Sequence, residues 1–229
     1  HDVVKLLSDS AGAPVPQLPI VQPGSWIGAD HDGNPYVTGT TLDYAATRAA
    51  ETVLKYYAVQ LHDLEHELSL SDRLGEVSEK RYALADEGHN GVLSRVDEPY
   101  RRAVHGVRGR ILATIVGLIG PDAVEGDWFT VHEPYADAEE FLADLDLIDS
   151  CLRAEHDEII ADARLADLRA AVRTFGFHLY ALDIRQNSES YEDVLTELFS
   201  LAHVAEDYRS LDEEAKIELL VDELRTPRP

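Results

Sequence analysis

Apolar positions recur at helical spacing through most of this chain. Val53, Leu54, Tyr57, Leu61, Leu64 and Leu68 fall on one face of a helix predicted over about 41–68, which Thr40 and Asp43 open as a capping box. A short helix is predicted over 78–86, ended by Gly88-His89-Asn90-Gly91. Asp97-Glu98-Pro99 opens the next, with acids and Pro in its first turn as the helix dipole prefers. That helix turns Tyr100, Val104, Val107, Ile111, Leu112, Ile115 and Leu118 inward and closes at Gly120-Pro121. Residues 122–136, with Trp128 and Phe129, read as loop. Helices follow at about 137–153, 158–174, 190–202 and 211–224, the last two capped by Ser190 with Asp193 and by Ser210 with Glu213. Two stretches leave the helical period. Leu18 to Val21 reads as a short strand, and Phe177 to Arg185 alternates as a strand does. The fold class is mainly α, helices with a few β-strands. Residues 1–17 read as an incoming helix end and linker, and 18–229 as one continuous segment without internal repeats.

Charge narrows the range of partners. Forty-four acids against 20 bases give a net charge of −24, which argues against nucleic acid and anionic membranes. No apolar run is long enough to span a bilayer, and no signal peptide is present, so a cytoplasmic location is expected. The lone Cys151 lies in a helical stretch and reads as a buried structural thiol. The chain has no Met, begins at His1 and ends on Thr-Pro-Arg-Pro, which reads as an internal fragment of a longer protein.

With so few bases, a clustered or strand-borne arginine gains interest as an anion ligand. The densest polar stretch is Gly24-Ser25-Trp26-Ile27-Gly28-Ala29-Asp30-His31-Asp32-Gly33-Asn34-Pro35, between a predicted strand and a predicted helix. It is either a well-made turn or a binding loop. It is not a calcium loop, because Gly33 comes two residues early and Thr41 holds the position that needs Glu. The second stretch ends the predicted strand at 177–185. Strand alternation puts Ala181, Asp183 and Arg185 on one face, so Asp183 can brace Arg185, either as a structural pair or as a phosphate or carboxylate site. Arg101, Arg102, Arg108 and Arg110 offer an anion pocket or, more simply, partners for neighbouring acids. His62-Asp63-Leu64-Glu65-His66 fits the inverted zinc-protease pattern H-x-x-E-H, against a plain solvated helix face.

Taken together, the two polar stretches resemble the phosphoenolpyruvate carboxylases. That family's glycine-rich signature, in outline G-S-W-[MI]-G-G-D-R-D-G-N-P, is matched by residues 24–35 except at Ala29 and His31. A second family stretch, L-D-[IV]-R-Q-x-S, is met by Leu182 to Ser188, and Glu98-Pro99-Tyr100-Arg101 resembles a further segment. The nearest resemblance is to the corynebacterial-type enzymes. It implies a mostly helical fold around a (β/α) barrel, of which 18–229 would be an internal segment. It implies a homotetramer that makes oxaloacetate and phosphate from phosphoenolpyruvate and bicarbonate, with Mg²⁺ or Mn²⁺. By the same resemblance Arg185 binds the substrate phosphate, supported by Asp183. Trp26 lies beside the substrate's methylene end, and Gly28, Asp30, Asp32 and Asn34 belong to the substrate-binding loop. Arg101, with Arg102, lies near a region for an anionic activator. The family's catalytic histidine and its acidic metal ligands have no counterpart in these residues, so this segment alone is expected to bind no metal and to be inactive. The rival expectation is a non-catalytic helical module that binds an anionic effector or a partner.

Overall fold

The computed structural model describes residues 21–68 and 97–226, together with Ser10 and Asp86. The predicted linker and strand residues up to Ile20, the helix predicted over 78–86 apart from Asp86, and Gly88-His89-Asn90-Gly91 lie outside the described residues. The chain divides into two compact units. The first comprises His1–Ser25 and Asp43–Leu182, the second Trp26–Leu42 and Asp183–Pro229.

The first unit is built on the predicted helical faces. Helix α1 (Gly39–Glu67) buries Val53, Leu54, Tyr57, Leu61 and Leu64, and Leu68 just beyond it is buried too. Helix α2 (Pro99–Leu118) has Pro at its first position and buries Tyr100, Val104, Val107, Ile111, Leu112 and Ile115 into the same core. Leu118, expected inside, is exposed, because the helix ends there and its last turn passes beyond the core. Helix α3 (Ala138–Ala154) starts where expected, and Asp137 accepts the Glu140 N–H at 2.8 Å as its cap. It contributes Phe141, Leu145, Ile148 and the buried thiol Cys151.

The stretch between α2 and α3 is not plain loop. It holds two 3₁₀ turns, Pro121–Ala123 and Trp128–Val131. Nor is the helix predicted over 158–174 regular. It consists of α4 (Glu158–Ile160), a π turn (Ala161–Leu165) kinked at Ala163, and α5 (Ala166–Phe175). Arg164 on the π turn reaches Gln60 at 2.8 Å and Glu67 at 2.9 Å on α1. Helix α5 ends at Gly176, whose φ of +51° suits glycine. The buried Tyr57 hydroxyl donates to the Gly176 carbonyl at 2.8 Å, tying the end of α5 to α1.

Two short strands finish this unit: β1 (Gly24–Ser25) and β2 (Ala181–Leu182), paired in parallel with Gly24 opposite Ala181 and Ser25 opposite Leu182. The strand predicted at Leu18 to Val21 lies outside the described residues except for Val21, which is not in a strand, and β1 lies inside the glycine-rich stretch. Strand β2 covers two residues, not the whole of Phe177 to Arg185. A strand exists only where a partner ladder meets it, and one chain segment's alternation does not reveal where that partner starts.

In the second unit, Thr38 and Thr41 organise the approach to α1. The Thr38 N–H donates to Thr41 Oγ1 at 3.2 Å, and Leu42 N–H donates to the Thr38 carbonyl at 3.0 Å. The helix begins at Gly39, so the Thr40 and Asp43 box falls inside it. Helix α6 (Ser188–Leu201) is capped by Asn187, which accepts the Ser190 N–H at 3.1 Å. Helix α7 (Glu213–Arg225) is capped by Asp212, which accepts the Ala215 N–H at 2.9 Å. Asn187 and Asp212 replace the expected Ser190 and Ser210. Each sits three residues before an unpaired helical N–H with a short acceptor side chain, the geometry a cap needs. Lys216 on α7 meets Glu192 on α6 at 2.7 Å. Among the described residues no helix is long and apolar enough to cross a membrane.

Candidate functional site

From Trp26 and from Asp183 onward the two polar stretches lie in the second unit, and there they meet. After β1 the chain turns at Trp26–Ala29, where the Ala29 N–H donates to the Trp26 carbonyl at 3.0 Å and Gly28 takes a φ of +85°. The chain then runs against 185. Arg185 N–H donates to the Ala29 carbonyl at 3.1 Å, and His31 N–H donates to the Arg185 carbonyl at 2.8 Å, a parallel bridge between Asp30 and Arg185. The backbone of Arg185 is thus held on both sides by the glycine-rich stretch.

Side chains reinforce this. Asp30 Oδ2 lies 3.6 Å from Arg185 Nη1, and Asp30 Oδ1 accepts the Asp32 N–H at 3.4 Å. Further along, Asn34 N–H donates to the His31 carbonyl at 3.3 Å, and Asn34 Oδ1 accepts the Tyr36 N–H at 3.1 Å. Gly33, with φ of +67°, makes the turn between them. Asn34 and Gly33 therefore shape the loop. Ala29 is fully buried and is not among the residues with positive φ, so its methyl group fits where the family signature has glycine. His31, Gly33, Asn34, Pro35, Gln186 and Asn187 line a shallow groove of about 410 Å³. The Trp26 side chain is 57% exposed.

The expected brace for Arg185 is not the one observed. The Asp183 side chain forms no ion pair or hydrogen bond among the described residues, and the carboxylate beside the guanidinium belongs to Asp30. Strand alternation suggested Asp183, but β2 ends at Leu182, and past its end the two-residue period no longer sets which side chains share a face. Sequence reasoning had placed Asp30 in the substrate loop without its link to Arg185. The pairing joins residues far apart in the chain, and no local spacing signals it.

What the site offers chemically is a half-exposed guanidinium on a fixed backbone, with a carboxylate on one side. A guanidinium presents several N–H donors in one plane, and those turned away from Asp30 suit a phosphate or carboxylate.

The arginines of α2 are engaged by acids. Arg101 meets Glu98 at 3.2 Å, Arg102 meets Asp86 at 2.6 Å and Arg108 meets Glu65 at 3.5 Å. Arg110 pairs with Glu140 and with Asp144, and its guanidinium stacks 3.8 Å above the Tyr135 ring. The Tyr135 hydroxyl donates to Asp144 at 2.7 Å, and burial pushes that phenol well above its ordinary range. Tyr100, in the Glu98-Pro99-Tyr100-Arg101 segment, is buried and donates to Glu155 at 2.9 Å. That segment therefore anchors the start of α2.

The inverted zinc-protease pattern lies on α1 with its two His rings in edge contact, centroids 4.7 Å apart. Its glutamate turns away from them. Glu65 is buried against His105 at 3.3 Å and Arg108, which gives it a structural pairing in place of a general-base position. Among the described residues no three or more His, Cys, Asp or Glu side chains are grouped to hold a metal ion.

Comparison with known proteins agrees with the two joined stretches. A model of the family described as phosphoenolpyruvate carboxylase matches residues 2–229. A protein of Corynebacterium glutamicum named phosphoenolpyruvate carboxylase is 65% identical over 229 residues, all of this chain and 25% of that protein. The protein of the same name from Corynebacterium efficiens is 59% identical over the same span, again 25% of its length. The one from Aromatoleum aromaticum is 44% identical over 219 residues, 96% of this chain and 24% of that protein. The chain thus spans about a quarter of the length of these relatives. With a matching family model over nearly its whole length, and with both signature stretches joined at Arg185, this chain belongs to the phosphoenolpyruvate carboxylase family.

Proposed function

We propose that this chain is a segment of an enzyme that forms oxaloacetate and phosphate from phosphoenolpyruvate and bicarbonate, and that Arg185 binds the substrate phosphate. The observation that carries the reading is the bridge at Arg185. Two stretches that separately match the family's signatures share one backbone ladder, which aims a guanidinium from a fixed point. In the proposed reaction bicarbonate attacks phosphorus, giving carboxyphosphate and the enolate of pyruvate. Carboxyphosphate releases CO₂ and phosphate, and the enolate carbon takes up the CO₂. Arg185 neutralises phosphate charge in the ground state and as the phosphoryl group transfers. Trp26 presents an apolar ring to the substrate's methylene end. Gly28 and Gly33 let the loop turn, while Asn34 and Asp32 lie on that loop.

The divalent ion implied by the family, Mg²⁺ or Mn²⁺, would supply Lewis-acid stabilisation of negative charge. The described residues do not fit a cation site. Asp30 is committed to Arg185 and the Asp32 N–H, and no cluster of ligands accompanies it. The metal is therefore assigned to parts of the enzyme outside this segment, as are the general acid–base groups. The segment alone is expected to be inactive. A cytoplasmic homotetramer is the assembly that this family reading carries with it. The rival module binding an anionic effector loses ground because Arg101 and Arg102 already face Glu98 and Asp86.

The full-length product of the parent gene should convert phosphoenolpyruvate and bicarbonate to oxaloacetate and phosphate in equal amounts, with a divalent cation required. Phosphate release without oxaloacetate would overturn the reading.

A further inference from the structure

The carboxylate of Asp30 touches two things at once. One oxygen faces Arg185 Nη1 at 3.6 Å, and the other accepts the Asp32 N–H at 3.4 Å. Its own residue sits in the backbone bridge to Arg185, flanked by the two main-chain hydrogen bonds at Ala29 and His31. Ala29 and His31, on either side of Asp30, hold the root of Arg185, and the Asp30 carboxylate lies beside its head. A long arginine loses rotamer freedom on being fixed, and an anion that binds a wandering guanidinium meets that cost itself. A carboxylate on one edge removes part of the cost beforehand and leaves the opposite N–H groups for the ligand.

We infer that Asp30 is a positioning residue, which orients the Arg185 guanidinium for the substrate phosphate and is not itself a substrate ligand. This rests on the assignment of Arg185 under the proposed function. A carboxylate pointing at the phosphate would repel it, so a second role as direct ligand conflicts with its charge. Asp183, two residues before Arg185, holds no comparable position among the described residues.

The experiment uses the full-length enzyme. Asp30→Asn keeps an oxygen for the Asp32 N–H and removes the charge beside Arg185. It should raise KM for phosphoenolpyruvate roughly tenfold, with a smaller change in kcat, and weaken competition by inorganic phosphate by a similar factor. Asp30→Glu restores the charge on a longer arm and should recover part of the loss. Arg185→Lys serves as the reference, and Asp30→Asn added to it should cost much less than alone, since the residue it positions is gone. If Arg185→Lys impairs the enzyme while Asp30→Asn leaves KM and phosphate competition unchanged, the inference fails and the proposed function stands. If Arg185→Lys has no effect, the proposed function fails first. Should Asp30→Asn not fold, Asp30→Glu and Arg185→Lys with their double variant form the cycle, and additive losses would overturn the inference.

Discussion

Gly109, in the middle of α2, lies where a side chain has no room. A Cβ built on it falls 2.3 Å from His132 Cδ2, 2.6 Å from Nε2 and 2.8 Å from Cγ. Three ring atoms would have to retreat by roughly 0.6–1.1 Å to reach ordinary contact. His132 is buried just after the 3₁₀ turn Trp128–Val131, where its N–H donates to the Phe129 carbonyl at 2.9 Å, so its ring has little free space to retreat into. Gly109→Ala therefore sets two effects against each other. Helix propensity gains up to about 1 kcal/mol. Overpacking costs about 1–3 kcal/mol, and contacts this short place it at the upper end. The net loss should be about 1–2 kcal/mol, roughly a tenfold rise in local opening. Gly117 on the same helix is the control. It is exposed, with nothing within 4 Å of its Cβ, so Gly117→Ala should be neutral or slightly stabilising. Hydrogen exchange of the full-length protein, read on peptides covering Pro99–Leu118 and Trp128–Val131, measures both. Equal protection of the Gly109→Ala variant and its parent would refute the reasoning. So would an equal response of the two variants.

Other expectations follow the same contacts. Tyr57→Phe removes the hydroxyl that satisfies the Gly176 carbonyl, and should cost about 1 kcal/mol and speed exchange at the end of α5. Arg110 first, then the Ala136 N–H, holds the Glu140 carboxyl below its ordinary value, so its contribution is complete above the unfolded value and is lost as pH falls through the folded one. Unfolding measured across about pH 5 to 3 should fall less steeply in Glu140→Gln. The difference should stay within about 1 kcal/mol, because that side chain is 43% exposed. Helices α6 and α7 expose Tyr191, Val194, Leu198, Leu201, Val221 and Leu224, so the isolated segment should self-associate in sedimentation, and a monodisperse monomer would contradict this.

The helical faces were legible because burial repeats every turn and leaves its mark in one stretch of chain. Val53 to Leu68 and Tyr100 to Ile115 show it. The start of α3 was legible for the same local reason. Strand limits were not, since β1 and β2 exist only through each other and lie far apart in sequence. The kink at Ala163 interrupts a run whose apolar spacing stays regular, so composition gives no sign of it. In the candidate site, the residue types of both stretches singled out two segments that the fold joins at Arg185. The brace did not, because a carboxylate two residues away in sequence looks closer than one brought in by the fold. The H-x-x-E-H pattern failed in the opposite way. Its spacing is right for one helix face, but Glu65 turns into the core between His105 and Arg108.

The central claim is that Arg185 binds the phosphate of phosphoenolpyruvate from its place in the bridge to Ala29 and His31. Its most direct test is the steady-state kinetics of the full-length enzyme carrying Arg185→Lys, at saturating bicarbonate and divalent cation. Lysine keeps one positive charge but loses the planar fork that meets two phosphate oxygens. Loss of kcat/KM for phosphoenolpyruvate by ~100-fold or more, with the oligomer and fold intact, is the result expected. Unchanged kcat/KM in a folded variant would contradict the claim.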